Sequence, residues 1–202
     1  MFRCTLVFLF VIAAAIPVWS AQPMTESEQK ALLDHLERTQ NKFLESVSGL
    51  SEVQSAWKPA PDRWSVTECA EHIAVSEKFI RELIEPVMKE RASEEMLAKD
   101  VRKETMLNAM IVDRSQKFKA PEPVQPTARY GDLGGALEEF RKERSKTIEL
   151  AKNGGDLRLH AAEHPFAGAL DAYSWIIFLS AHTERHTLQI LEVKATEGFP
   201  KN

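Results

Sequence analysis

Four segments of this chain repeat apolar residues at spacings of three and four, and none alternates convincingly between apolar and polar. A period near 3.6 puts those side chains on one face of a helix, and that face leaves water by packing on other helices. Thr25 and Glu28 form a capping-box pattern that opens a helix over 25–47, striped by Leu32, Leu33, Leu36, Phe43, Leu44 and Val47. A second helix spans 65–88, with Cys69, His72, Ser76, Phe79, Leu83 and Val87 facing inward. A third runs over 132–152 with Leu133, Leu137, Phe140, Ile148 and Ala151, and Asn153-Gly154-Gly155 stops it. The fourth, 167–195, carries Leu170, Trp175, Leu179, Ile190 and Val193. Pro59 and Pro61 mark a connector over 51–63, and residues 89–130, with Pro121, Pro123 and Pro126, read as short helix and loop. Four long helices with one long crossover connection predict an all-α four-helix bundle, a single domain over 21–202.

Residues 1–20 are expected to stand outside that domain. Arg3 precedes an apolar run, Leu6 to Ile16, that breaks at Pro17 and Ser20, too short for the ~20 residues of a spanning helix. This is the pattern of a signal peptide, with small residues Val18 and Ser20 placing cleavage before Ala21. The expectation is an exported protein, periplasmic or secreted, with no stable membrane anchor after cleavage. Losing Arg3 leaves 25 basic against 30 acidic residues, a net charge of −5. Such a balance argues against a nucleic-acid partner, which rewards uncompensated Lys and Arg. Cleavage also removes Cys4 and leaves Cys69 alone, so no internal disulfide forms.

With cysteine scarce, the six histidines are the main candidate metal ligands. His182 and His186 stand four residues apart, and both fall on the stripe Trp175, Leu179, Ile190 and Val193. Burying two unpaired imidazoles in an apolar stripe costs desolvation free energy. On one helix face their Cβ atoms lie roughly 5–6 Å apart, close enough to share an ion. His72, inward on the second helix, is the natural third ligand. By itself it reads as a core histidine bonded to a backbone carbonyl; alongside His182 and His186 it reads as a ligand. Three neutral imidazoles from two helices suit a divalent first-row metal (Zn, Ni, Fe or Mn) and leave a coordination position open.

Trp64-Ser65-Val66-Thr67-Glu68 with His72 eight residues after the Trp, and His182 to His186 followed by Gln189-Ile190, resemble the opening and closing signatures of DinB-like (YfiT-like) bundle proteins. His164-Pro165-Phe166 and Gly198-Phe199-Pro200 resemble that family as well, so the likeness runs from about Thr25 to Pro200. It implies a four-helix bundle with His72, His182 and His186 as metal ligands. It also implies chemistry on a small-molecule substrate, as a metal-dependent hydrolase or a thiol-dependent transferase. Export favours the hydrolase, because low-molecular-weight thiol cofactors are mainly cytosolic. A non-catalytic metal- or ligand-binding bundle is the alternative, and association into a homodimer stays open.

Other residues carry two readings each. Ser65 and Glu68 are expected to cap the second helix. Cys69 approaches the metal or packs in the core. Arg144 interrupts the third helix's stripe, either to pair with a carboxylate or to bind a substrate anion at a pocket mouth, and on the second reading it is a candidate substrate-binding residue. Glu184 and Arg185 are expected to point away from the histidine pair, solvated or paired. His160 and His164 repeat the four-residue spacing but fall in a connector, where no second metal site is expected.

Overall fold

The computed structural model of the protein describes residues 22–99, 104–165 and 167–201. The expected signal segment, 1–20, lies outside the described residues. Four long helices form the bundle: α1 (Glu26–Val47), α3 (Val66–Val87), α6 (Leu133–Asn153) and α7 (Ala172–Ala195). Three short ones lie between them: α2 (Glu52–Ala56), α4 (Glu94–Lys99) and α5 (Glu104–Val112). In space, α1 and α3 occupy opposite corners, and each packs on both α6 and α7. The crossover from α3 to α6 carries α4, α5 and a 3-10 turn at Glu122–Val124, and α5 packs on α7. The described parts of this crossover pack on the outside of the bundle and on the hairpin before α7. No helix among the described residues is long and apolar enough to cross a membrane.

Helix starts follow their capping residues. Thr25 and Ser65 each accept from the third helical N–H while Glu28 and Glu68 reach back to the cap, so both expected capping boxes form. A third box, Ser51 with Gln54, starts α2 inside the stretch expected to be plain connector. Gly154 caps α6, and Gly155 turns the chain at φ 69°. The fourth helix begins at Ala172 rather than near Ala167. Before it lies an antiparallel hairpin, β1 (Ala161–His164) and β2 (Gly168–Asp171), pairing Ala161 with Asp171 and His164 with Gly168. Asp171 ends the hairpin and caps α7, accepting from the Ser174 N–H at 2.7 Å.

The core has two apolar clusters. One holds Leu36, Ile84, Leu170, Ile176 and Leu179; the other holds Phe43, Ile73, Phe140, Ile190 and Val193. Phe43 and Phe140 meet edge to face at 4.8 Å. On α3 the inward row after Ser76 is Glu77, Ile80 and Ile84, whereas Leu83 is exposed. The expected row drifted off the buried arc because α3 is covered from two sides, by α6 and α7.

Between the clusters lies a buried polar layer centred on Arg144, whose exposure is zero. Its Nε and Nη2 donate to the two Glu77 carboxylate oxygens at 2.8 Å each. Nη1 donates to the Leu36 carbonyl at 2.8 Å and Thr39 Oγ1 at 3.0 Å, and Nη2 also donates to Thr183 Oγ1 at 2.8 Å. All five N–H donors of a guanidinium are therefore occupied inside the bundle. Fully buried, Arg144 has no donor left for a substrate anion; the carboxylate pairing is where the structure puts it.

Candidate metal centre

Two helices deliver three imidazoles to one point. His72 comes from the second turn of α3, and His182 and His186 are one turn apart on α7. One candidate ligand atom from each lies within 4.8 Å of the other two. Ring centroids are 4.3 Å apart for His72 and His186, 4.5 Å for His182 and His186, and 5.0 Å for His72 and His182. His72 and His186 are buried, whereas His182 is half-buried and gives the cluster its more open side.

The protons can be placed from the partners. His72 Nδ1 lies 2.7 Å from the Val124 carbonyl, which can only accept, so His72 carries its proton on Nδ1. Bonded to a backbone carbonyl, it nonetheless presents Nε2 to the cluster, so the two readings open to it are compatible. His186 Nδ1 lies 2.8 Å from Gln189 Oε1. Arg114 donates to the same Gln189 oxygen at 3.4 Å, which identifies it as the amide oxygen and puts the His186 proton on Nδ1. Both Nε2 atoms therefore bear lone pairs, and they face each other at 3.2 Å. Two acceptors facing each other in a buried site suit a cation placed between them. Ligand nitrogens bound at about 2.0–2.1 Å around a tetrahedral ion stand about 3.4 Å apart, so the separation suits one. Nδ1–H bonds to a carbonyl and an amide are also how ligating histidines are oriented.

Burial reinforces the neutral state. It pushes His72 down to about 4. Burial first, and then the charges of neighbouring imidazoles, hold His182 and His186 well below the usual 6.5. A neutral imidazole is the form that binds metal.

Trp64, just before the α3 cap, lies with its ring 4.8 Å from His72 and 6.1 Å from His186 and so walls one side of the site. Beyond it a cleft of about 310 Å³ is lined by Lys58, Glu68, Phe118, Lys119 and Gln125 as well as Trp64. A hollow of about 380 Å³ lies between α3 and α6, lined by Arg81, Glu85, Lys146 and Glu149; none of the three histidines lines either space, and only the cleft borders the cluster, through Trp64.

The remaining candidates fall elsewhere. Cys69 is fully buried in the apolar cluster, and burial pushes its thiol up, away from the thiolate a metal needs. His160 donates or accepts at Nδ1 toward Glu90, whose carbonyl fixes the role as donor, at 2.8 Å. His164 packs between Trp175 and Phe178, ring centroids 4.5 and 4.3 Å away. Glu184 pairs with Arg38 and Lys42. Arg185 is buried, not solvated, and donates to the carbonyls of Ile111, Asp113 and Gln116. Sequence reasoning missed Val124, whose part is played by a backbone atom with no residue-type signal. It also missed Gln189 as the orienting partner of His186, although a Gln at i+3 on the same face was a readable cue.

Comparison with known proteins agrees with this architecture. The chain is 26% identical over 151 residues to the uncharacterized protein YuaE of Bacillus subtilis (strain 168), covering 73% of this chain and 88% of that protein. Its fold is similar to that of YfiT from Bacillus subtilis, described as a probable metal-dependent hydrolase with an unusual four-helix bundle topology. That similarity has a TM-score of 0.57 at 14% identity and covers 88% of this chain and 91% of YfiT. The family model of the DinB superfamily matches residues 35–190, a span that includes all three clustered histidines, and the chain belongs to that superfamily.

Proposed function

We propose that this protein is a metal-dependent hydrolase acting on a small molecule, with a divalent transition ion held by His72, His182 and His186. The observation that carries the reading is the pair of facing, unprotonated Nε2 atoms of His72 and His186, 3.2 Å apart in a buried site. A divalent ion there supplies Lewis-acid polarisation of a substrate oxygen and activation of water. The chain's own residues do the rest: Val124 and Gln189 hold two of the rings by their Nδ1 protons, and Trp64 shields the site on one side. His182, half-buried, is the most exposed of the three histidines. The cleft beside Trp64 has the size of a small-molecule site, with aromatic surface from Trp64 and Phe118 and charge from Lys58, Lys119 and Glu68. The description of YfiT as a probable metal-dependent hydrolase supports the same chemistry.

Export belongs to this proposal: Arg3, the Leu6–Ile16 run and the Val18/Ser20 pair support removal of residues 1–20. N-terminal sequencing of protein from its native host should return Ala21, and Met1 or Phe2 would contradict export.

The function is tested by assaying protein reloaded with Zn, Ni, Fe or Mn against small esters, amides and phosphate esters. Hydrolysis that a chelator abolishes, added metal restores and His186→Ala lacks is the expected result. Full metal occupancy with no turnover across the panel would replace this reading with a non-catalytic metal-binding bundle.

A further inference from the structure

We propose that Glu71 is a positioning residue of the metal centre, acting through the 123–129 turn to fix the ring of His72. The inference rests on the three-histidine reading. Glu71 directly precedes His72 but points away from the cluster, and at 2% exposure its carboxylate is buried. It accepts from three successive backbone N–H groups: Thr127 at 2.8 Å, Ala128 at 2.9 Å and Arg129 at 3.3 Å. It also accepts from Arg129 Nε at 3.0 Å. Successive N–H groups converging on one anion form a nest, and that backbone shape calls for a left-handed residue. Ala128 adopts it at φ 60°, the one positive φ among the described non-glycine residues.

The turn held in this way contains the atom that orients His72. Arg129, gripped by Glu71, donates from Nη2 to the Gln125 carbonyl at 2.6 Å and from Nη1 to the Pro123 carbonyl at 3.4 Å. Those two carbonyls flank Val124. Its own carbonyl is left for the Nδ1–H of His72 at 2.7 Å. A continuous path therefore runs from Glu71 through Arg129 to the carbonyls of Pro123 and Gln125, on either side of Val124, and from the Val124 carbonyl back to the ring of the next residue, His72. A carboxylate placed only to pair with a surface arginine would not need three backbone donors or a strained alanine. On α7 the arrangement recurs: Arg185, directly before His186, is hydrogen-bonded to carbonyls of residues 111, 113 and 116 of the same crossover. The residue before a ligand on each helix thus ties down the chain that covers the site.

Glu71→Gln keeps the volume but replaces one acceptor oxygen with an NH2 that cannot accept from the turn. Three measurements read the result: Zn²⁺ affinity by competition with a chromophoric chelator, the visible absorption of Co²⁺-loaded protein, and the His72 tautomer by ¹⁵N NMR of the metal-free protein. The expected outcome is Zn²⁺ binding weakened by about 10–100-fold, a changed Co²⁺ spectrum, and a His72 ring that no longer holds its proton on Nδ1 alone. A variant with a lower melting temperature but unchanged affinity, spectrum and tautomer would show a merely structural clamp and overturn the proposal. If Glu71→Gln does not fold, Arg129→Ala supplies the same three readings, with the same outcomes for and against. Wild-type protein that binds neither Zn²⁺ nor Co²⁺ would overturn the three-histidine reading and this inference together. Wild-type binding that Glu71→Gln and Arg129→Ala both leave intact would overturn this inference alone.

Discussion

The Nε2 atoms of His72 and His186 face each other at 3.2 Å, each with its imidazole proton committed on the opposite side of the ring. Without a cation this is two buried acceptors in contact, a local cost to the fold. On the proposed reading the bundle holds a preformed site whose metal-free form would be destabilised. His186→Leu removes one acceptor at similar volume. The metal-free variant should melt no lower than the wild type, with a gain of about 1 kcal/mol as the upper expectation. At the same time it should lose the stabilisation by saturating Zn²⁺, which at a hundredfold excess over Kd is about 2.7 kcal/mol in wild type. Differential scanning calorimetry with and without Zn²⁺ measures both.

The buried histidines also set a pH dependence. Their pKa values lie below the ordinary 6.5, near 4 for His72 and for His164, because burial disfavours the charged ring. Between pH 6.5 and about 4 the unfolded chain takes up protons that the folded chain refuses, so stability falls as pH falls. Each such histidine contributes about 1.4 kcal/mol per pH unit across that window. Urea unfolding of metal-free protein at pH 7.0, 6.0 and 5.0 should show this slope, and His164→Phe should make it shallower. For metal binding the same depression means that proton competition at the folded site sets in below 6.5, the value that unperturbed histidines would suggest.

Arg144 belongs to the stability of the bundle. Arg144→Ala leaves Glu77 charged and buried without its partner, and a loss of about 3–5 kcal/mol is expected in urea unfolding. The double variant Arg144→Met with Glu77→Leu removes both charges and should recover most of that loss. If Arg144→Ala instead kept full stability and only raised KM for an anionic substrate, the fully paired guanidinium would be misplaced.

Ala128 holds a left-handed conformation at φ 60°. Glycine adopts it without the Cβ penalty, which is about 1–2 kcal/mol, though it adds freedom to the unfolded chain. Ala128→Gly keeps the N–H that Glu71 accepts, so a net gain of about 0.5–1 kcal/mol with unchanged Zn²⁺ affinity is expected, read by melting temperature and chelator competition.

Periodicity made the long helices legible because each buries a continuous stripe, and Thr25, Ser65 and Gly154 mark where they begin or end. The hairpin before α7 was not legible. Ala161-Ala162-Glu163-His164 is four residues long, lacks β-branched side chains, and pairs because Gly168 can turn at φ 73°. The three histidines were legible because imidazoles on an apolar stripe conflict with their neighbours. Their supports were not: Val124 acts through its carbonyl, and Glu71 acts on peptides 56–58 residues away in sequence. Arg144 was half legible, since a charge on a stripe signals a partner or a ligand. Only the position of Glu77, inward on α3, decides which.

Metal content tests the central claim most directly. Wild-type protein and His72→Ala, His182→Ala and His186→Ala variants would be loaded with Zn²⁺, dialysed and analysed for metal and protein. The account predicts close to one ion per wild-type chain and little or none in each variant, while His160→Ala retains the wild-type content. Wild-type protein that retains no Zn, Ni, Fe or Mn, or histidine variants that retain as much as wild type, would contradict it.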